Sequence, residues 1–129
     1  MTFTVATAQF PPRKAQVSAN LDRIAEFIEL AAHEGADLVV FPETITSGYF
    51  LEGGVLDSAL RSEELLRQVV RRCSPSVDVL IGFYERHGDH LYNSAAYLEL
   101  GSEPRLVHVY RKFFLPTYGV FDEERFVAR

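Results

Sequence analysis

The chain has 129 residues, 47% apolar and 24% charged, with a formal net charge of −5. That suits one globular domain with a core of its own, and the acidic balance argues against nucleic acid or an anionic membrane surface as partner. The one cysteine, Cys73, excludes an intrachain disulfide, and no apolar run approaches the roughly 20 residues needed to span a bilayer.

The N-terminus, MTFTVATAQF, has neither a charged n-region nor a long apolar core, so it does not read as a signal peptide and the chain is expected to be cytoplasmic. Thr2 to Gln9 is rich in β-branched and apolar residues and stops at Pro11-Pro12, which predicts a buried strand. Ser18 to Glu34 carries Leu21, Ile24, Ala25, Ile28 and Ala31 or Ala32 at helical spacing. Ser18 or Asn20 is placed to cap that helix, and Gly35 falls where a left-handed C′ residue belongs. Ala36 to Phe41 is apolar apart from Asp37, the pattern of a strand covered on both faces. Strand, helix and strand in this order make a βαβ unit.

Thr44 to Gly54 reads as a glycine-containing loop with Tyr49 and Phe50 in it. Arg61 to Cys73 predicts a second amphipathic helix, with Leu65, Leu66, Val69 and Val70 inward and Ser74-Pro75 ending it. Val77 to Glu85 and Leu91 to Leu100 predict strands joined by a turn at His87-Gly88-Asp89-His90, and Arg105 to Tyr110 predicts a further strand.

Glu43 and Lys112 each follow an apolar strand-like run. Catalytic groups in parallel sheets usually stand at that carboxyl edge. A carboxylate half-buried beside Phe41, Tyr49 and Phe50 suits a general base; the alternative is an ordinary solvated residue after a strand. Lys112 precedes Phe113, Phe114, Leu115 and Pro116, so its ammonium needs a partner or must snorkel into water. Glu43 would be such a partner, and a fixed ammonium can steady a developing oxyanion. Asp122, Glu123 and Glu124 form an acidic run bracketed by Phe121 and Phe126; it is either a solvated segment or a support for Lys112. Cys73 follows Arg71 and Arg72 at the end of a helix, with no glycine-rich approach around it, and reads as a structural thiol. His87 and His90 read as a solvated hairpin rather than metal ligands.

TVATAQF, the helix near Asn20, GADLVVFPET and YRKFFLPTYGVFDEERF, in this order from Thr4 to Phe126, resemble the carbon–nitrogen hydrolases of the nitrilase superfamily. FPE alone carries little weight; FPE, the later RK and the spaced LPxYGVFDExRF together are specific. The last segment is most similar to the branch that includes the glutaminase domains of glutamine-dependent NAD synthetases and related amidohydrolases. The resemblance implies an α/β fold, part of a four-layer α-β-β-α sandwich with a mixed sheet and helices on its outer face. It implies a Glu-Lys-Cys triad without metal or organic cofactor, acting on a small amide or nitrile. Glu43 matches the general base and Lys112 the oxyanion-stabilising lysine, while Tyr118 and Phe121 match substrate-pocket residues and Glu123 a supporting carboxylate. The family's nucleophilic cysteine lies beyond the lysine motif, so Cys73, which precedes Lys112, does not match it.

Residues 1–129 are therefore expected to form one partial carbon–nitrogen hydrolase domain, truncated before the nucleophilic cysteine region and inactive alone. Half a sandwich would also expose an apolar sheet face. A homo-oligomer, or a separately encoded C-terminal half, is the expected protein partner. Two alternatives stay open: a non-catalytic binding domain that keeps the fold, and one subunit of a split amidohydrolase.

Overall fold

In the computed structural model, residues 1–49, 51, 54–115 and 127–128 are described. Tyr118, Phe121, Glu123 and the whole Asp122–Glu124 run fall outside them, as does Phe50. The elements in chain order are β1 (Val5–Thr7), α1 (Val17–His33), β2 (Leu38–Val40), α2 (Val55–Ser58), α3 (Ser62–Val70), β3 (Asp78–His87), β4 (His90–Glu99) and β5 (Arg105–Arg111).

The five strands form one mixed sheet in the order β1-β2-β3-β4-β5. β1, β2 and β3 run parallel, with helical crossovers between them, and β4 and β5 extend the sheet as antiparallel strands. α1 buries Leu21, Ile24, Ala25 and Ile28, the stripe its spacing predicts, and completes it with Ala31 rather than Ala32. It ends in a Schellman motif: the Ala36 N–H donates to Ala31 O and the Gly35 N–H to Ala32 O, each at 3.0 Å, with Gly35 at φ +87°. α3 packs beside α1, and both share a core with Val39, Val79, Ile81, Phe83, Ala96 and Leu98 of the sheet. This is one helical layer on one sheet, the α/β arrangement expected of that part of the sandwich.

Alternation along the paired strands assigns side chains to the two faces. Val79, Ile81, Phe83 and Glu85 of β3 share the helix-covered face, as do their β4 partners Leu98, Ala96, Ser94 and Tyr92. Gly82, Tyr84 and Asn93 point to the opposite face. On that face Val5 and Tyr110 are half exposed. β5 pairs Leu106 with Leu98 and His108 with Tyr97, so Val107 is an extra residue, a bulge with no cross-strand partner.

Several boundaries differ from the sequence reading. β1 and β2 are three residues each, because only Val5–Thr7 and Leu38–Val40 find paired registers. β3 runs on to His87 because ten consecutive residues zip to β4 around the turn at Gly88, which has φ +59°. α3 stops at Val70, short of Cys73. The four-residue α2 has no sequence signal of its own. Asn20 does not cap α1: Gln16 holds the N-cap position without a side-chain bond. Asn20 lies inside the helix and ties two loops together. It accepts from the Arg13 N–H (2.8 Å) and donates to Arg13 O (2.8 Å) and Thr46 O (2.9 Å).

Candidate active site

The parallel strand β2 delivers Glu43. Phe41 still donates its N–H to Leu80 O at 2.9 Å. Pro42 has no N–H to continue the ladder, so the chain leaves the sheet there. Thr44 turns it sharply: its φ is +50°, and its carbonyl accepts the N–H groups of Ser47 (3.2 Å) and Gly48 (2.8 Å). Thr44 is fully buried. Holding a β-branched residue in the left-handed region costs about 1–3 kcal/mol, a strain that the surrounding loops must offset. The Asn20 bonds to residues 13 and 46, and the Ala15 N–H to Ser47 O at 2.9 Å, clamp this turn from the side of α1.

The turn crosses β3 directly over Gly82. A Cβ at that position would lie 2.5 Å from Pro42 O, 2.6 Å from Glu43 Cα and 2.8 Å from Thr44 N. Only glycine lets the loop come this close.

The antiparallel strand β5 delivers Lys112. Its N–H donates to Asn93 O at 2.8 Å, extending the β4–β5 ladder one residue beyond Arg111. Lys112 therefore faces the same side of the sheet as Asn93. There Lys112 Nζ lies 2.5 Å from Glu43 Oε1, and Asn93 Nδ2 donates to the same oxygen at 2.8 Å. Asn93 is buried, whereas the side chains of Glu43 and Lys112 keep 38% and 29% exposure. The pair is thus partly sheltered. A cleft of about 710 Å³ reaches Glu43, lined among others by Phe10, Pro12, Lys14, Thr44 and Tyr49.

The convergence of residues 43 and 112 expected from the sequence is present. Gly82 and Asn93 were not singled out from the sequence, although a glycine inside an apolar strand is itself a signal of close backbone approach. Cys73 takes no part in the pair. It is buried in the main core, and its thiol is pushed up to about 11, chiefly by burial, with Glu29 adding and Arg72 opposing. His87 and His90 pair across the hairpin turn. Among the described residues no group of three or more His, Cys, Asp or Glu side chains could hold a metal ion, and no helix is long and apolar enough to cross a membrane.

The mixed α/β sheet thus presents a carboxylate–ammonium pair at the exits of two strands, β2 and β5. The carbon–nitrogen hydrolase family pattern matches residues 4–129, and the chain belongs to that family. The curated relatives it matches include glutamine-dependent NAD(+) synthetases. That of Thermotoga maritima is 38% identical over 125 residues, covering 95% of this chain and 21% of the relative. That of Acinetobacter baylyi is 32% identical over 130 residues, covering 98% and 23%. Among solved structures, the glutamine-dependent NAD+ synthetase of Acinetobacter baumannii in complex with ADP superposes with a TM-score of 0.84 at 31% identity, over 98% of this chain and 24% of that one. The chain spans about a quarter of the length of these relatives.

Proposed function

We propose that this chain supplies the general base and the oxyanion-binding cation of an amide-hydrolysing site of glutaminase type. The observation that carries it is the Glu43–Lys112 pair, held on one sheet face by Asn93. The relatives' names state glutamine dependence, which supports glutamine as the substrate.

Glu43 takes the proton of an attacking thiol, and the thiolate adds to the amide carbon. As the carbonyl oxygen gains charge, the Lys112 ammonium stabilises it. Glu43 returns the proton to the departing nitrogen, and ammonia leaves. Water, deprotonated by the same carboxylate, then attacks the thioester, and the thiol is restored. Tyr118 and Phe121 would line the substrate pocket and Glu123 would support the site, as the family resemblance implies. The thiol is not Cys73: it is buried in the core, and its proton is held more tightly than an ordinary thiol's. The nucleophile therefore comes from outside these 129 residues, and the chain alone performs no covalent turnover.

The test is a chimera in which residues 1–129 replace the matching segment of a glutamine-dependent NAD(+) synthetase relative, assayed for ammonia release from glutamine. Glu43→Gln and Lys112→Met should each lower the rate about a hundredfold or more. Rates within a few-fold of the parent chimera would refute the assigned roles. So would ammonia release by the 129-residue chain alone above a Glu43→Ala control.

A further inference from the structure

Directly behind the Glu43–Lys112 pair, on the helix-covered face, lies a second acid–base pair that the proposed chemistry does not use. Glu85 of β3 is 1% exposed. Its carboxylate is gripped in a fork by Arg111, with Nε to Oε1 at 2.8 Å and Nη2 to Oε2 at 3.0 Å, and it accepts Ser94 Oγ at 2.9 Å. The Arg111 guanidinium also lies over the Tyr92 ring, 4.8 Å from its centroid. The fork therefore spans three adjacent strands: Glu85 on β3, Ser94 and Tyr92 on β4, and Arg111 on β5.

Each of these residues has a chain neighbour on the other face. Arg111 precedes Lys112, and Ser94 follows Asn93. Asn93 meets both partners of the site, through its carbonyl to the Lys112 N–H and through its amide to Glu43. A two-point contact between a buried carboxylate and a planar guanidinium fixes orientation as well as distance. Here it fixes the last residue of β5. Lys112 lies beyond the last named strand residue, where an untethered chain would fray, and four successive apolar residues follow it in the sequence.

We propose that Glu85 is a positioning residue: through Arg111 it pins the end of β5 so that the Lys112 ammonium is delivered to Glu43 on the opposite face. The inference rests on the proposed roles of Glu43 and Lys112, and it adds a role for a carboxylate that lies on the other side of the sheet from that pair.

The chain has only two lysines, Lys14 and Lys112, and Lys14 is exposed. Competitive acylation with an amine reagent, read by mass spectrometry, therefore reports Lys112 against an internal reference. Glu43→Gln should raise Lys112 labelling about fivefold relative to Lys14, the factor that a pair of ~1 kcal/mol holds back. Glu85→Gln should raise it at least half as much, with Lys14 unchanged. Removing one member of a buried ion pair is strongly destabilising, whereas replacing both by apolar groups is often neutral. Glu85→Leu combined with Arg111→Met is therefore made alongside, and its Lys112 labelling should also rise while the melting temperature stays near that of the parent. If Glu43→Gln leaves Lys112 unchanged, the pair itself is refuted and the proposed function falls with it. If Glu43→Gln responds but the folded Glu85 variants do not, only the positioning role is overturned.

Discussion

Replacing Gly82 by alanine adds one methyl group at the point where the Glu43 turn rests on β3. The backbone angle at Gly82 lies outside the left-handed region, so alanine meets no conformational penalty and the effect is purely steric. The added carbon would sit 2.5 Å from Pro42 O, 2.6 Å from Glu43 Cα and 2.8 Å from Thr44 N, all backbone atoms that cannot swing aside as a side chain would. Recovering the ordinary contact distance of 3.4 Å requires the Pro42 carbonyl to recede by about 0.9 Å, and Glu43 moves with it. Overpacking of this kind costs about 1–3 kcal/mol, a fall in melting temperature of roughly 3–15 °C for a domain of this size. A displacement near 1 Å at a reacting group costs about a hundredfold in rate. In the chimera, Gly82→Ala should therefore depress ammonia release to a similar extent as Glu43→Gln. In the 129-residue chain it should raise Lys112 acylation, because the carboxylate has moved off the ammonium. A folded Gly82→Ala variant with parental melting temperature and unchanged Lys112 labelling would refute the reasoning.

Asn20→Ala removes three hydrogen bonds made by a buried side chain and leaves groups of Arg13 and Thr46 unpaired. Urea denaturation should show a loss of about 1–3 kcal/mol, and an unchanged midpoint would mean the loops are held by other contacts. Cys73 should react slowly with a thiol reagent in the native protein and rapidly in urea, since burial pushes its thiol from 9.0 to about 11. Its folded pKa lies above the unfolded one, so this contribution to stability is fully present below pH 9.0 and is lost as pH rises towards about 11. Cys73→Ala should flatten that part of the stability–pH curve, and an unaltered slope there would count against the assignment.

The elements legible in the sequence were those whose periodicity matches their burial. α1 shows its core stripe residue by residue, and Gly35 marks its end because no other residue takes φ +87° so cheaply. The βαβ unit and the hairpin followed from the same logic. Glu43 and Lys112 were visible because each follows an apolar run and because the surrounding letters resemble a family. The residues that hold them were not. Asn93 and Ser94 are neighbours in sequence, both buried and facing opposite ways, and no periodic pattern separates one role from the other. Glu85 reads as the polar end of a strand until Arg111, 26 positions later, is folded against it. Asn20 looked like a helix cap because asparagine favours that place; its amide instead satisfies loop backbone, a choice that only the tertiary structure makes.

The unpaired Val107 in β5 has a consequence for which cation reaches which carboxylate. Leu106 packs toward the helices. In an uninterrupted strand every second residue from it would do the same, so Lys112 would be carried inward and Arg111 outward. One surplus residue inverts that parity, handing the flexible amine to Glu43 and the rigid fork to the interior. The choice of electrostatic partner at residue 43 is thus made five positions upstream, by a residue with no charge at all.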